Sequence, residues 1–330
     1  MWPHFVILAR HRALPQQCVA LPSTSPQQVW IKNMANVTHS DFAGDARSFT
    51  TSRKWFSAND DKAWAERFYL TFIPVFFAYN AIVQGMGWLD VGNFWHLTQN
   101  FLMWFPYCVA LPFYLRRKQP IPFYKQWWFK FQLYLVIFVF FVTYFNTEYF
   151  FKALGMRYRF PQVTWYFDSA YLGPDQASAL DEDQRIPIGM YLNAIAFFTV
   201  YHIAAVIVIR RLYGLFPSRS RLAQIASFLV AAWGTALFFA WAETRFYMTS
   251  SSHANVWYIN LPWQLQVGSW FYMLYFVCSF PNIYGLDELP AQQPWSLRRV
   301  ATEAAAISML VLLLCDLWVV FGFPTVPGPA

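Results

Sequence analysis

Apolar stretches of about twenty residues alternate along this chain with short polar connectors rich in Lys and Arg. A helix rises 1.5 Å per residue, so roughly 20 apolar residues cross the ~30 Å hydrocarbon layer of a bilayer. Seven segments reach that length, near residues 68–88, 94–115, 131–151, 190–212, 225–247, 263–284 and 304–323. Pro106 and Pro112 interrupt the second, and His96 lies near its start; proline is tolerated in a spanning helix where neighbours satisfy the freed carbonyls. The pattern predicts an all-α fold, a polytopic membrane helical bundle of about seven transmembrane helices. Residues 1–60 lack this periodicity, and their polar, Ser/Thr/Gln-rich composition predicts a disordered N-terminal tail; residues 61–330 form the membrane domain. In the tail, Phe5-Val-Ile-Leu-Ala9 is too short for a secretory signal, and His11 and Arg12 follow it rather than lead. Met34-Ala-Asn-Val37 reads as an alternative start, which makes residues 1–33 an expected extension of the gene model.

Composition adds partners and orientation. Only 12% of the 330 residues are charged, against 57% hydrophobic, about half the charged share of a soluble domain. The formal charge of +7 would suit nucleic acid, but the basic residues form short clusters beside the apolar runs, where they act as topology signals. Nucleic-acid binding is therefore not expected. The clusters are Arg53, Lys54, Lys62 and Arg67; Arg116, Arg117, Lys118, Lys125 and Lys130; Arg210, Arg211, Arg219 and Arg221; and Arg298 with Arg299. They occupy alternate connectors, which predicts a cytoplasmic N-terminus. The expected home is the endoplasmic reticulum of a eukaryote, or the inner or plasma membrane of a bacterium, with membrane lipids around the bundle and the oligomeric state open. The connector 152–189, aromatic at Tyr158, Phe160, Trp165, Tyr166 and Phe167, is expected to form an interfacial cap. Cys18, Cys108, Cys278 and Cys315 stand far apart and make no CxxC pair, so they read as packing residues.

Four ionisable residues lie inside the spans: Glu148, His202, Glu243 and Asp316. Charge at bilayer depth costs a few kcal/mol, so such groups usually face a cavity, a partner or a substrate. Three carboxyls and an imidazole in one bundle point to proton transfer on an apolar molecule, provided they project into one cavity. Each has a structural alternative. A lone His also serves as a hydrogen-bonding group between helices. Glu243 has Arg245 nearby, but the two side chains lie about 200° apart on a helix. Asp316 has no charged residue within ten positions on either side, and its alternative is to cap a helix broken at Gly322 and Pro324. Glu148 stands four residues before Lys152, the favourable order for a helical ion pair. Glu66, before the first span, reads as an interfacial or capping group. Carboxyls in apolar surroundings can stay protonated near neutrality, as a general acid requires.

Missing motifs narrow the chemistry. No HxxxH or HxxHH cluster supplies di-iron ligands, no Gly-rich phosphate loop or dinucleotide fingerprint is present, and no GxSxG or HExxH occurs. No internal repeat of the kind carriers use is visible. The remaining expectation is an acid/base site without cofactor or metal, lined by aromatic faces that can stabilise a carbocation.

Several blocks then point to one family. They are Trp64-x-Glu66 with Pro74; Tyr149-Phe-Phe-Lys-x-Leu-Gly155 with Tyr158 and Phe160-Pro161; Tyr201-His-x-Ala204 with Arg210-Arg-Leu212; Ala240-x-x-Glu-Thr244; Ser279-Phe-Pro281 with Asp287-Glu288; Arg299-Val-Ala301; and Asp316-Leu-Trp318 with Val326-Pro327. In order and spacing the chain resembles the cycloeucalenol cycloisomerase family of plant sterol synthesis. Where the plant pattern has aromatic-Thr-His, this chain has Asn146-Thr147-Glu148. The resemblance implies an isomerase that opens the 9β,19-cyclopropane ring of a cyclopropyl sterol. An acid protonates the ring methylene, and a base then removes the C8 proton to give a Δ8 sterol. On that reading Glu243 and Asp316 are candidates for acid and supporting carboxyl, His202 for base or relay, and Tyr201 for its orienter, with Glu148 the remaining candidate. The alternatives are a sterol double-bond isomerase, or a non-enzymatic sterol-binding or proton-coupled carrier protein.

Overall fold

The computed structural model describes residues 55–167, 184–216, 220–247, 255–290 and 293–327. The expectations for residues 1–54 lie outside the described residues. The rest is almost entirely helical.

Helix α1 (Asp60–Gly85) starts where the Asn59 side chain accepts from the backbone N–H groups of Asp61 and Lys62, with Asp60 and Asp61 in the first turn. An Asx cap and two acids at a helix N-terminus satisfy orphan donors and suit the helix dipole. Next come α2 (Asn93–Phe105), a π-turn at Pro106–Ala110, and α3 (Leu111–Arg116). After α4 (Trp127–Phe145) the path breaks at Asn146 before the short α5 (Thr147–Lys152). α6 (Ile188–Tyr213) and α7 (Arg221–Ala242) follow, and α7 runs into a second π-turn, Glu243–Tyr247. A helical turn Leu261–Trp263 and a third π-turn, Gln264–Gly268, lead into α8 (Ser269–Gly285), and α9 (Leu297–Val320) closes the bundle.

Among the described residues, five helices, α1, α4, α6, α7 and α9, are each long and apolar enough to cross a membrane. The two other segments expected to span, 94–115 and 263–284, are helical but divided by π-turns. Proline explains the first division: Pro106 has no N–H to give to the turn before it, and the extra residue of a π-turn absorbs the fault.

α6 is the axis. It packs against α1, α2, α4, α7 and α8, and 78% of its most apolar window is buried, against 22% for α9. A helix apolar on every side belongs in the centre of a bundle. The core around it is aromatic, including Tyr69, Phe72, Phe76, Phe131, Phe138, Phe276 and Phe280, each fully buried.

One end of the bundle is closed by β1 (Met156–Tyr158), antiparallel to β2 (Val256–Tyr258), with Met156 opposite Tyr258. Gly155, at φ +70°, lets the chain turn there; a Cβ on it would lie 2.6 Å from Ile259 Cγ1. Val326 N donates to Ala153 O and ties down the C-terminal segment beside it. Leu154, Phe160, Val163 and Ile186 are buried beneath this cap, so the described part of the 152–189 connector is packed as expected.

Candidate active site

α7 delivers Glu243 to the capped end of the bundle, at the first residue of a π-turn. A π-turn rotates the following side chains relative to a regular helix, and such turns recur at functional sites. The hydroxyls of Tyr201 on α6 and Tyr272 on α8 lie within hydrogen-bonding reach of the Glu243 carboxyl. Its Oε2 is shielded from solvent and has no hydrogen-bond partner. Ring faces enclose the group: Tyr201 packs on Phe197 (4.6 Å between centroids), Phe239 (5.5 Å) and Phe276 (5.8 Å), and Tyr272 on Phe276 (5.1 Å). Tyr258 of β2 also feels this carboxyl. Burial first, and then the charge of Glu243, hold the Tyr258 phenol well above its usual range, so it remains a hydrogen-bond donor. The arrangement is a carboxyl with one oxygen uncommitted, two phenols to orient it, and aromatic quadrupoles suited to a nearby cation.

Of the four ionisable residues expected to share a cavity, Glu243 stands here without the other three; Tyr201, expected to orient His202, is placed against Glu243 instead. His202, next to Tyr201 but about 100° round the helix, faces the core. Its Nδ1 lies 2.8 Å from Phe198 O and its Nε2 2.8 Å from Ser279 Oγ, while that hydroxyl is also 2.8 Å from Tyr275 O. A carbonyl only accepts, so Nδ1 carries hydrogen. The single Ser279 hydrogen is then shared between Nε2 and Tyr275 O. Phe198, Phe280, Phe138 and Phe276 surround the ring.

Asp316 stands on the outer face of α9, where its Oδ1 accepts from Tyr149 OH at 2.8 Å in an exposed contact. It lies four residues from the end of α9, about 6 Å along the axis. Glu148 is half-buried and pairs with Lys152 at 2.5 Å, the i,i+4 bridge that its spacing allows.

Two features escaped the sequence reading. Tyr272 was one aromatic among many. Its signal was a phenol midway along the apolar segment 263–284, where its O–H must find a partner. The other is an ion lattice at the opposite end. Arg210 holds Glu66 through both terminal nitrogens (2.6 and 3.1 Å) and Glu288 through Nε and Nη2 (2.7 and 2.8 Å), and gives its fifth hydrogen to Trp55 O (2.9 Å). Lys62 bonds Glu288 at 2.8 Å and the carbonyls of Ile283, Tyr284 and Leu286. Lys130 pairs with Asp287 at 2.6 Å. Three of the lysines and arginines that read as topology signals are therefore internal partners of acids from distant segments.

Fold and site together define a helical protein with five membrane-length helices and a tyrosine-flanked carboxyl enclosed by aromatic rings. Among proteins of known function, the chain is similar to cycloeucalenol cycloisomerase of Arabidopsis thaliana. The two are 28% identical over 285 residues, which is 83% of this chain and 91% of that protein. The relationship is distant but runs nearly end to end. No protein-family model matches the chain, and no solved structure matches it.

Proposed function

We propose that this protein is a membrane sterol isomerase that opens the cyclopropane ring of a 9β,19-cyclopropyl sterol, with Glu243 as the acid. The observation that carries the reading is the uncommitted Glu243 Oε2 among aromatic faces, taken with the similarity to a cycloisomerase over 83% of the chain.

Glu243 gives its proton to the ring methylene, which becomes a methyl group as the C9–C19 bond breaks and positive charge develops at C9. Tyr201 and Tyr272 hold the carboxylate left behind, and the surrounding ring faces stabilise the cation. That carboxylate is itself a base at the reacting centre. Taking the C8 proton forms the Δ8 double bond and restores the acid, and the carboxyl exchanges that proton with water as product leaves, so protons and electrons balance without a cofactor and the next methyl hydrogen comes from solvent. The basic end of the bundle, with Lys62 and Arg210, faces the cytoplasm on this reading, and substrate arrives from the lipid. A groove of about 350 Å³ between α7 and α8, lined by Leu237, Trp241, Ser269 and Trp270 among others, opens on the outside of the bundle, where Trp241 and Trp270 are exposed.

Purified protein incubated with cycloeucalenol in deuterated water tests this. The expected product is the Δ8 isomer carrying one deuterium in its new C19 methyl. No isomer, or an isomer without deuterium at that methyl, overturns the mechanism.

A further inference from the structure

Asn146 marks the break between α4 and α5, at φ −100° and ψ 11°, the sparsely allowed bridge region where active-site residues recur. Its backbone carbonyl is used, accepting from Tyr149 N and Phe150 N. Its side chain is not. Asn146 is fully buried, yet neither Oδ1 nor Nδ2 has a hydrogen-bond partner. The amide and the Cys315 thiol both face the hydroxyl of Tyr275 on α8, which is fully buried and makes no hydrogen bond of good geometry either. A buried polar atom left unpaired keeps its full desolvation penalty, and here three such atoms from two separate parts of the chain converge.

The cluster adjoins the candidate acid. Tyr275 contacts Tyr272 at 5.5 Å between ring centroids and stacks on Phe150 at 5.4 Å. Tyr272 reaches Glu243. Asn146, Tyr275, Tyr272 and Glu243 thus form a strip in which orphaned polar atoms stand at both ends, with aromatic faces between. A flat, rigid apolar molecule with one hydroxyl group matches that strip. An amide oxygen accepts the hydroxyl hydrogen, while the amide N–H or the phenol donates to the hydroxyl oxygen.

We infer that Asn146 and Tyr275 form a hydroxyl-binding subsite that holds the 3-hydroxyl of the sterol and so sets which ring carbon meets Glu243. The identity of the ligand as a sterol rests on the isomerase reading; the subsite itself rests on the three unpaired atoms. A site built to bond a hydroxyl discriminates strongly against the analogue lacking it, because its own buried groups are then left unpaired.

The test compares a cyclopropyl sterol with its 3-deoxy analogue on wild-type protein, Tyr275→Phe and Asn146→Ala, reading both binding and kcat/KM. Tyr275→Phe removes only an oxygen and keeps the packing, so it guards against misfolding in Asn146→Ala. On the hydroxylated sterol each substitution is expected to lower affinity and kcat/KM about 10-fold, the worth of one hydrogen bond. On the 3-deoxy analogue each is expected to change them less than 2-fold. Equal losses on both compounds, as for a pair that holds only a buried water, overturn the subsite. Wild-type protein that prefers the hydroxylated sterol, with that preference lost in both variants but without turnover, sustains the subsite and overturns the isomerase reading instead. Turnover with no preference for the hydroxyl does the reverse.

Discussion

At the scale of single residues, the carboxyls divide by surroundings rather than by position in the chain. Glu243 and Asp316 both lie near the capped end of apolar helices, and their flanking sequence does not say which of them faces inward. The fold does: Glu243 turns inward to two phenols, and Asp316 outward to one. A substitution of each tests what that difference means. Glu243→Gln keeps shape and polarity but removes the proton, and general acid–base groups contribute about 10²–10⁴-fold in rate. Isomerisation is expected to fall by that factor while the protein remains folded. Asp316→Asn keeps an oxygen to accept from Tyr149, so turnover is expected to stay within about 3-fold, as befits a peripheral hydrogen bond worth about 0.6 kcal/mol in a membrane protein. Rates measured side by side on purified variants decide the matter; a Glu243→Gln enzyme at wild-type speed would move the acid elsewhere. Glu243 was legible because a carboxyl inside an apolar helix needs a partner, and Tyr201 was legible only as the neighbour of His202. Tyr272 and Asn146 were not legible, since side-chain satisfaction depends on the facing helix.

At the scale of elements, the helices followed from apolar length, and the places where the fold departs from that pattern are where backbone chemistry intervenes. Pro106 accounts for the π-turn that divides the second apolar run. The π-turns at Glu243–Tyr247 and Gln264–Gly268 pack against each other, and neither has a proline within it, so their one-residue insertions left no mark in the hydrophobic pattern. The β1–β2 pair was equally invisible. Each strand has three residues, too few for alternation to register, and about a hundred residues separate them. What fixes the pair is Gly155. At φ +70° an alanine costs roughly 1–2 kcal/mol in backbone energy alone, and its Cβ would also crowd Ile259 and Val326. Gly155→Ala is therefore expected to destabilise the protein by about 2 kcal/mol or more, seen as a lower melting temperature in detergent. Because Tyr258 belongs to β2 and neighbours Glu243, isomerase activity should fall with it. An unchanged melting temperature would show that the cap is not tied down at this glycine.

At the scale of the molecule, the two ends of the bundle hold different kinds of polar group, and the difference separates stability from chemistry. The capped end has unpaired groups, Glu243 Oε2, Asn146 and Tyr275 OH. The basic end has charges that are fully paired: Arg210 uses all five of its hydrogens, and Glu66 accepts from Ser57 N besides. Lys62, Glu66, Arg210 and Glu288 sum to zero charge and join α1 and α6 to the segment after α8. Removing one member of such a buried lattice leaves an uncompensated charge and costs about 3–5 kcal/mol. Arg210→Leu strands Glu66 and removes two hydrogen bonds from Glu288, so it is expected to lower stability by that amount. Glu66→Leu with Arg210→Leu leaves the Lys62–Glu288 pair intact and neutral, so the double variant should be less damaged than Arg210→Leu alone, a coupling of about 1–3 kcal/mol. Unfolding of the three proteins in detergent by increasing denaturant measures both quantities. Catalysis should not follow the same order. Glu243 lies past the far end of a 22-residue helix that starts shortly after Arg210, roughly 33 Å away along its axis. The folded fraction of each variant is therefore expected to isomerise substrate at close to the wild-type rate. Should the double variant unfold as readily as Arg210→Leu, the lattice is not a single coupled unit. Should folded Arg210→Leu lose turnover, the two ends are linked and the lattice also serves the chemistry.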